Sequence, residues 1–349
     1  MNTHEKYIKR CIELAQNGFG TTYPNPMVGS VIVHDGKIIG EGWHKKAGEP
    51  HAEVNAVQSV KDKSLLKKAT IYVSLEPCSH FGKTPPCCDL IIANQIPNVV
   101  VGTVDPNEKV AGRGIKKLIE NGANVTVGIL EDECNELNKR FFTFHQKKRP
   151  YIILKWAESQ DGFLAPEKSI NQERKPVWIT NQYSRQLVHK WRSEEQAILV
   201  GTQTVVDDNP KLNTRDWSGN NPVRVVLDQN NRISKDSFIF DDSVKTIVFS
   251  KSENSNATEN TIFEKIDFNK NTIPQILYVL YQHQIQSIII EGGRQTLQSF
   301  VDSDLWDEAR IFTGTNAFEN GVKAPLIQKK NIFKTTIQND ELLYIRNND

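Results

Sequence analysis

The 349-residue sequence has only five cysteines and two methionines, and no apolar run longer than a strand. A helix that crosses a bilayer needs roughly 18 to 20 apolar residues in a row. Candidates such as Ser287-Ile288-Ile289-Ile290 fall far short, so no membrane partner is expected. Five cysteines are too few and too odd in number for a disulfide framework, and a reduced cytoplasm is the expected location. An excess of charge of one sign is missing too. Forty-three Lys and Arg against 42 Asp and Glu leave +1, without the global positive field that draws proteins onto nucleic acid. Segment 1–17 lacks a signal-peptide core and instead spaces Tyr7, Ile8, Cys11, Ile12, Leu14 and Ala15 as an amphipathic helix.

What is present is ordinary globular composition, 38% hydrophobic and 24% charged, over about 2.3 typical domain lengths. Two domains are expected. The polar stretch His145-Gln146-Lys147-Lys148-Arg149-Pro150 is the natural boundary, giving 1–146 and 150–349, and its three consecutive cations read as a solvated connector. Before it, short apolar runs at 28–33 and 37–43 flank Asp35-Gly36, a two-residue hairpin signal. A helix follows from His51, then strands at 70–75, 99–104 and 124–128 with helices near 87–93, 114–121 and 131–144. Beyond it come strands at 151–157, 197–201, 223–228, 246–250 and 287–291, with helices at 182–193 and 294–301. Alternating strands and helices predict two layered α/β domains with largely parallel sheets. Lys251 to Asn260, rich in Ser, Asn and Glu, reads as a loop.

His51-Ala52-Glu53 is weak alone, because 8 histidines and 42 acidic residues in 349 yield about one chance His-x-acid match. Context makes it specific: Pro77-Cys78 and Pro86-Cys87 follow, and one His with two Cys leaves an open position on a tetrahedral zinc. His51 and Glu53 lie about 200° apart on a helix, so they converge only on something at its N-terminus. Pro50 starts that helix, and both cysteines follow prolines suited to a first turn. An open site lowers the pKa of water to about 7, and Glu53 is placed to shuttle its proton, which is the chemistry of hydrolytic deamination. The competing reading is a closed structural site with His80 or Cys88 as fourth ligand. Cys11 and Cys134 read as packing residues on helices.

These residues, with Glu76-Pro77-Cys78-Ser79-His80-Phe81-Gly82-Lys83-Thr84-Pro85-Pro86-Cys87, Pro24-Asn25-Pro26-Met27-Val28-Gly29, Gly42-Trp43-His44 and Asp105-Pro106-Asn107, resemble the cytidine-deaminase-like zinc enzymes, within them the riboflavin-biosynthesis branch. The second half is similar to that branch's reductase through Lys155-Trp156-Ala157-Glu158-Ser159-Gln160-Asp161-Gly162, Gly201-Thr202-Gln203-Thr204-Val205, Asp208-Asn209-Pro210-Lys211-Leu212-Asn213-Thr214-Arg215 and Glu291-Gly292-Gly293. The resemblance implies a cytidine-deaminase-like three-layer domain followed by a dihydrofolate-reductase-like α/β domain. It implies one zinc on His51, Cys78 and Cys87, Glu53 as proton shuttle, and Asn25, His44, Lys83, Asp105 and Asn107 around a phosphoribosyl-pyrimidine. It implies NADPH against Ala157, Trp178, Thr204, Asp208, Gln229 and the run Gly293, Arg294, Gln295, Thr296, Leu297, Gln298 and Ser299, with Arg192, Leu212, Arg215 and Glu291 on the sugar-phosphate. The implied activity is deamination of the diaminopyrimidinone ribosyl phosphate, then reduction of its ribosyl group to ribityl. Pro176 and Glu108 depart from the usual serine and proline. A homo-oligomer is compatible with the sequence. The rival readings are a nucleoside or nucleic-acid deaminase with an accessory nucleotide-binding domain, and a binding module with structural zinc.

Overall fold

Helix α1 (Thr3–Ala15) opens on a capping box in the computed structural model, which describes residues 2–81, 85–107, 111–167, 177–252, 257–328 and 332–347. Asn2 Oδ1 accepts the Glu5 N–H, and the Glu5 carboxylate accepts the Asn2 N–H, both at 2.9 Å. The chain divides into two units, Met1–Lys148 and Arg149–Asp349. Lys83, Glu108 and Pro176 lie outside the described residues.

In the first unit, β1 (Gly29–His34) and β2 (Lys37–Trp43) form the hairpin, with Asp35 and Gly36 both at positive φ. Then come α2 (Ala52–Ser59), β3 (Thr70–Leu75), α3 (Cys87–Ala93), β4 (Asn98–Thr103), α4 (Arg113–Glu120) and β5 (Asn124–Val127). The sheet order is β2-β1-β3-β4-β5. It is mixed rather than largely parallel: β1 is antiparallel to both β2 and β3, while β3, β4 and β5 are parallel. The cause is topological, since α2 crosses from β2 over β1 to β3 and leaves the hairpin strand between two strands of opposite direction.

The helical pattern at 131–144 breaks into α5 (Glu131–Leu137) and α6 (Lys139–Lys147). At the break, Asn138 Oδ1 accepts the Met27 N–H at 2.9 Å and Nδ2 donates to the Met27 carbonyl at 2.8 Å. Helix α6 continues through Lys147, and Arg149 is buried, its guanidinium held by both Asp307 oxygens at 2.6 and 2.8 Å. The cationic stretch is therefore part helix and part anchor: Lys147 and Lys148 are exposed as a connector's cations would be, while Arg149 is not.

The second unit runs β6 (Tyr151–Glu158), β7 (Phe163–Pro166), α7 (Gln182–Glu194), β8 (Ala197–Gly201), α8 (Thr202–Asp208), β9 (Val223–Leu227), β10 (Thr246–Ser250), β11 (Thr261–Lys265), α9 (Thr272–Gln282), β12 (Ser287–Ile290), α10 (Arg294–Asp302), β13 (Glu308–Thr313), β14 (Gly321–Lys323), β15 (Ile332–Ile337) and β16 (Asp340–Arg346). Its sheet is ordered β11-β10-β9-β8-β12-β6-β13-β16-β15, parallel through β13 and antiparallel at the last two strands. Apolar runs such as Ile288–Ile290 and Ile152–Leu154 fill its centre because parallel strands are covered on both faces.

Candidate functional site

His51 is the N-cap of α2 and spends no side-chain bond on the helix, so its ring is left for another partner. Cys87 is the first residue of α3. Cys78 does not open a helix; it lies in the loop after β3, and the Cys87 N–H donates to its sulfur at 3.3 Å, so the dipole end of α3 serves it across space. His51 Nδ1 stands 3.6 Å from Cys78 Sγ and 3.4 Å from Cys87 Sγ, and all three donor atoms lie within 4.8 Å of one another. Zinc bonds of about 2.3 Å to sulfur and 2.0 Å to nitrogen at the tetrahedral angle require an N···S edge of about 3.5 Å. The donor set fits zinc. The Cys87 thiol donating to Cys78, with help from His51, pulls Cys78 down to about 4, and the same shared proton and burial push Cys87 up.

His80 and Cys88 stay out of this group. Cys88 instead points at the Pro77 and Gly114 carbonyls, at 3.2 and 3.5 Å, within the apolar core. Among the described residues the group therefore offers three protein donors and no fourth. Cys11 and Cys134 share a separate buried cluster, as packing residues would.

Glu53, in the first turn of α2, is 3% exposed, and burial, reinforced by the Cys78 charge, lifts its pKa to about 7. His44 lies edge-on to His51 with ring centroids 5.3 Å apart. Its Nδ1 faces the Pro50 carbonyl at 3.1 Å, so Nδ1 donates and Nε2 accepts from Asn25 Nδ2 at 3.0 Å. Burial lowers its pKa and keeps the ring neutral. Asp105 is buried, accepts the Asn107 N–H at 2.7 Å, and has a pKa raised to about 6, first by burial and then by neighbours that include Cys78. Asn25, His44 and Asp105 thus gather about the metal group. Glu76, to which sequence reasoning gave no role, is the residue after β3 and accepts the Asp105 N–H at 3.3 Å.

In the second unit a cleft of about 950 Å³ opens at the carboxyl ends of β6, β8, β9 and β12. Ala157, Thr204, Asp208, Gln229, Gly293, Arg294, Gln295, Thr296 and Ser299 line it. Leu297 and Gln298 do not: the helical period turns Leu297 into the core, and Gln298 bonds Asp302 and the Leu326 carbonyl. Trp178 is 57% exposed outside the cleft, under the Arg185 guanidinium. Gly293 is the N-cap of α10 and supplies no side-chain cap, which leaves the helix's first N–H groups facing the cleft as an anion cradle. Asp207 and Asp208 end α8, and Asn209 follows at positive φ, so this cluster is a helix terminus as its composition implies.

Glu291 lines the same cleft and is gripped by Arg192 at 2.8 and 3.4 Å, with Lys155 Nζ at 3.8 Å. Burial alone would raise its pKa, but the Arg192 and Lys155 charges win and hold it at about 2. Burial lowers Lys155 against the pull of Glu291. His189 accepts the Arg215 N–H at 3.2 Å, and burial beside Arg192 and Arg215 drops its pKa to about 4. The Leu212 side chain is buried in the core, with its backbone at positive φ. Lys155 and His189 were not legible as site residues, since each is defined by partners distant in sequence. An apolar-flanked lysine in the motif 155–162 was the only signal for the first.

Residues 150–332 match the family described as the RibD C-terminal domain, and 1–103 the cytidine and deoxycytidylate deaminase zinc-binding region. The riboflavin biosynthesis protein RibD of Aquifex aeolicus is 40% identical over 324 residues, 91% of this chain and 88% of its own. The chain belongs to the RibD family. RibD of Escherichia coli is 38% identical over 88% of this chain and 86% of its own. A solved deaminase/reductase from Thermotoga maritima, 38% identical, superposes with a TM-score of 0.87 over 99% of this chain and 98% of its own. As a RibD, the chain is a bifunctional deaminase and reductase of riboflavin biosynthesis that uses zinc and NADPH and acts on small molecules. Neither a nucleic-acid deaminase nor a purely structural zinc module is favoured beside that match.

Proposed function

We propose that 1–146 carries the deaminase and 150–349 the reductase, and that the substrates are those named for the Thermotoga protein: a diaminohydroxyphosphoribosylaminopyrimidine is deaminated, then 5-amino-6-(5-phosphoribosylamino)uracil is reduced. The observation that carries the reading is the His51, Cys78 and Cys87 donor triangle, with buried Glu53 in the same helix turn as His51. Zinc bound there supplies a water acidic enough to react at neutral pH. Glu53, with a pKa lifted to about 7, can take a proton from water and return it to the leaving amine without a large mismatch either way. Neutral His44 and Asn25 form a fixed pair that orients the pyrimidine, while Asp105 and Asn107 face it from the loop after β4.

NADPH supplies the hydride when it occupies the cleft. The uncapped first turn of α10 and Arg294 suit its phosphates. Glu291, Arg192 and Lys155 form a cluster of set charge on the wall, a rigid mount for a sugar-phosphate, with Arg215 nearby. Leu212 can offer only its backbone. The balanced charge supports a small-molecule substrate over nucleic acid or membrane, and five free cysteines support a cytoplasmic setting.

The test follows ammonia release and NADPH oxidation separately with the diaminopyrimidinone ribosyl phosphate, for wild type and Glu53→Gln. Ammonia then NADPH consumption is expected of wild type. The variant should lose ammonia release by about 10²-fold or more while still reducing the deaminated product. A variant that releases ammonia at the wild-type rate would remove Glu53 from the reaction.

A further inference from the structure

One buried carboxylate beside the metal group takes no part in the chemistry above. Glu76 is the residue after β3, two before Cys78, and is 4% exposed. Among the described residues no Lys or Arg pairs with it. Its oxygens instead accept four backbone N–H groups: Asp105 at 3.3 Å and Gly112 at 2.9 Å on Oε2, Gly114 at 2.9 Å and Ile115 at 3.3 Å on Oε1. Those donors come from both ends of the segment that carries Asp105 and Asn107 and opens α4.

The arrangement is exacting. The N-cap of α4, Gly112, has φ +73° and no side chain to cap the helix, so Glu76 supplies the acceptors from the loop after β3. A Cβ on Gly114 would fall 2.1 Å from the Pro77 carbonyl oxygen and 3.1 Å from Glu76 Oε1, so only glycine lets the helix start come this close. One side chain thereby ties the strand end that leads to zinc ligand Cys78 to the loop whose Asp105 turns back on Asn107.

We propose that Glu76 is a positioning residue of the deaminase site: it sets the height and angle of Asp105 and Asn107 against the substrate without touching it. The proposal rests on the reading that these two residues line the pyrimidine site. Glutamine in its place keeps the volume but not the chemistry. Whichever way the amide is turned, an NH₂ group faces two backbone N–H donors, and that side of the clamp is lost. Aspartate keeps two accepting oxygens on a shorter arm.

The experiment uses the full-length, zinc-loaded chain as wild type, Glu76→Gln and Glu76→Asp. Zinc content, steady-state ammonia release and NADPH-dependent reduction of the deaminated product are measured on the same samples. For Glu76→Gln, KM of the ammonia-releasing step is expected to rise by about tenfold, with kcat within about threefold. Zinc content and the reduction rate should stay at wild-type values, and Glu76→Asp should recover part of the KM. KM within about twofold of wild type in both variants overturns the positioning role. Where Glu76→Gln loses zinc or solubility, Glu76→Asp decides: a raised KM with full zinc supports the proposal, and a wild-type KM overturns it. Wild type that releases no ammonia sinks the underlying site reading instead.

Discussion

Arg224 is the second residue of β9, with its side chain 1% exposed and all three guanidinium nitrogens hydrogen-bonded. It donates to the Lys211, Phe238 and Ile239 carbonyls, to Ser243 Oγ at 3.2 Å and to Asp241 Oδ1 at 2.7 Å. Asp241 is the sole carboxylate among these acceptors. Burial works to raise its pKa from 3.8, but bonds from Arg224 and Ser243 hold it down at about 2. A carboxyl held lower in the folded state stabilises fully above its unfolded pKa and loses that contribution as pH falls through about 2. Asp241→Asn should therefore cost about 1–2 kcal/mol at pH 7, less than a fully buried pair because the carboxylate is a third exposed. Urea midpoints of the two proteins should converge as pH drops from 4 to 2; a constant gap would refute the assignment. At this scale the His51, Cys78 and Cys87 group that could hold a metal was readable from the chain, because proline, histidine and cysteine announce themselves by type and spacing. Glu76 and Lys155 were not, because what they touch lies 29 to 39 and 136 residues away.

Elements were legible where one local pattern set them. The turn at Asp35-Gly36, the start of α2 at His51 and the start of α3 at Cys87 follow from Gly, Pro and Asp chemistry. Helix α9 was invisible, since Thr272-Ile273-Pro274-Gln275-Ile276-Leu277-Tyr278-Val279 mixes β-branched and aromatic residues, and only packing of Ile273, Ile276, Leu277 and Leu280 on one face decides for helix. The terminal strands β15 and β16 lacked any motif and are set by pairing, β16 on β13 and β15 on β16. The break between α5 and α6 likewise comes from a tertiary bond, the double clasp of Asn138 on Met27. Asn138→Ala leaves a buried N–H and carbonyl unpaired and should cost about 2–4 kcal/mol, read as a lowered melting temperature. Because Met27 is two residues from Asn25, ammonia release should suffer while NADPH oxidation with the deaminated product does not. Unchanged melting would show that water replaces the clasp.

Across the whole molecule, each unit has its own sheet and its own buried clusters. Zinc binds only folded N-terminal unit, so its removal should destabilise that unit and leave the other alone. Scanning calorimetry with and without a strong chelator should show one transition moving down and one unmoved. A single transition that shifts as a whole would mean the units unfold together.

The hairpin turn offers a practical handle. Strand β1 runs from Gly29, next to the Val28 carbonyl that accepts the His44 N–H, to His34, so the turn at its far end stands about 20 Å away along the sheet. A Cβ on Gly36 would meet nothing within 4 Å, and Lys37 beside it is exposed. Four of the five natural cysteines are buried and the fifth, Cys78, is a zinc ligand candidate only partly open to solvent. Lys37→Cys would thus give one addressable thiol, at the end of the hairpin away from His44, through which the enzyme can be tethered to a surface or a dye.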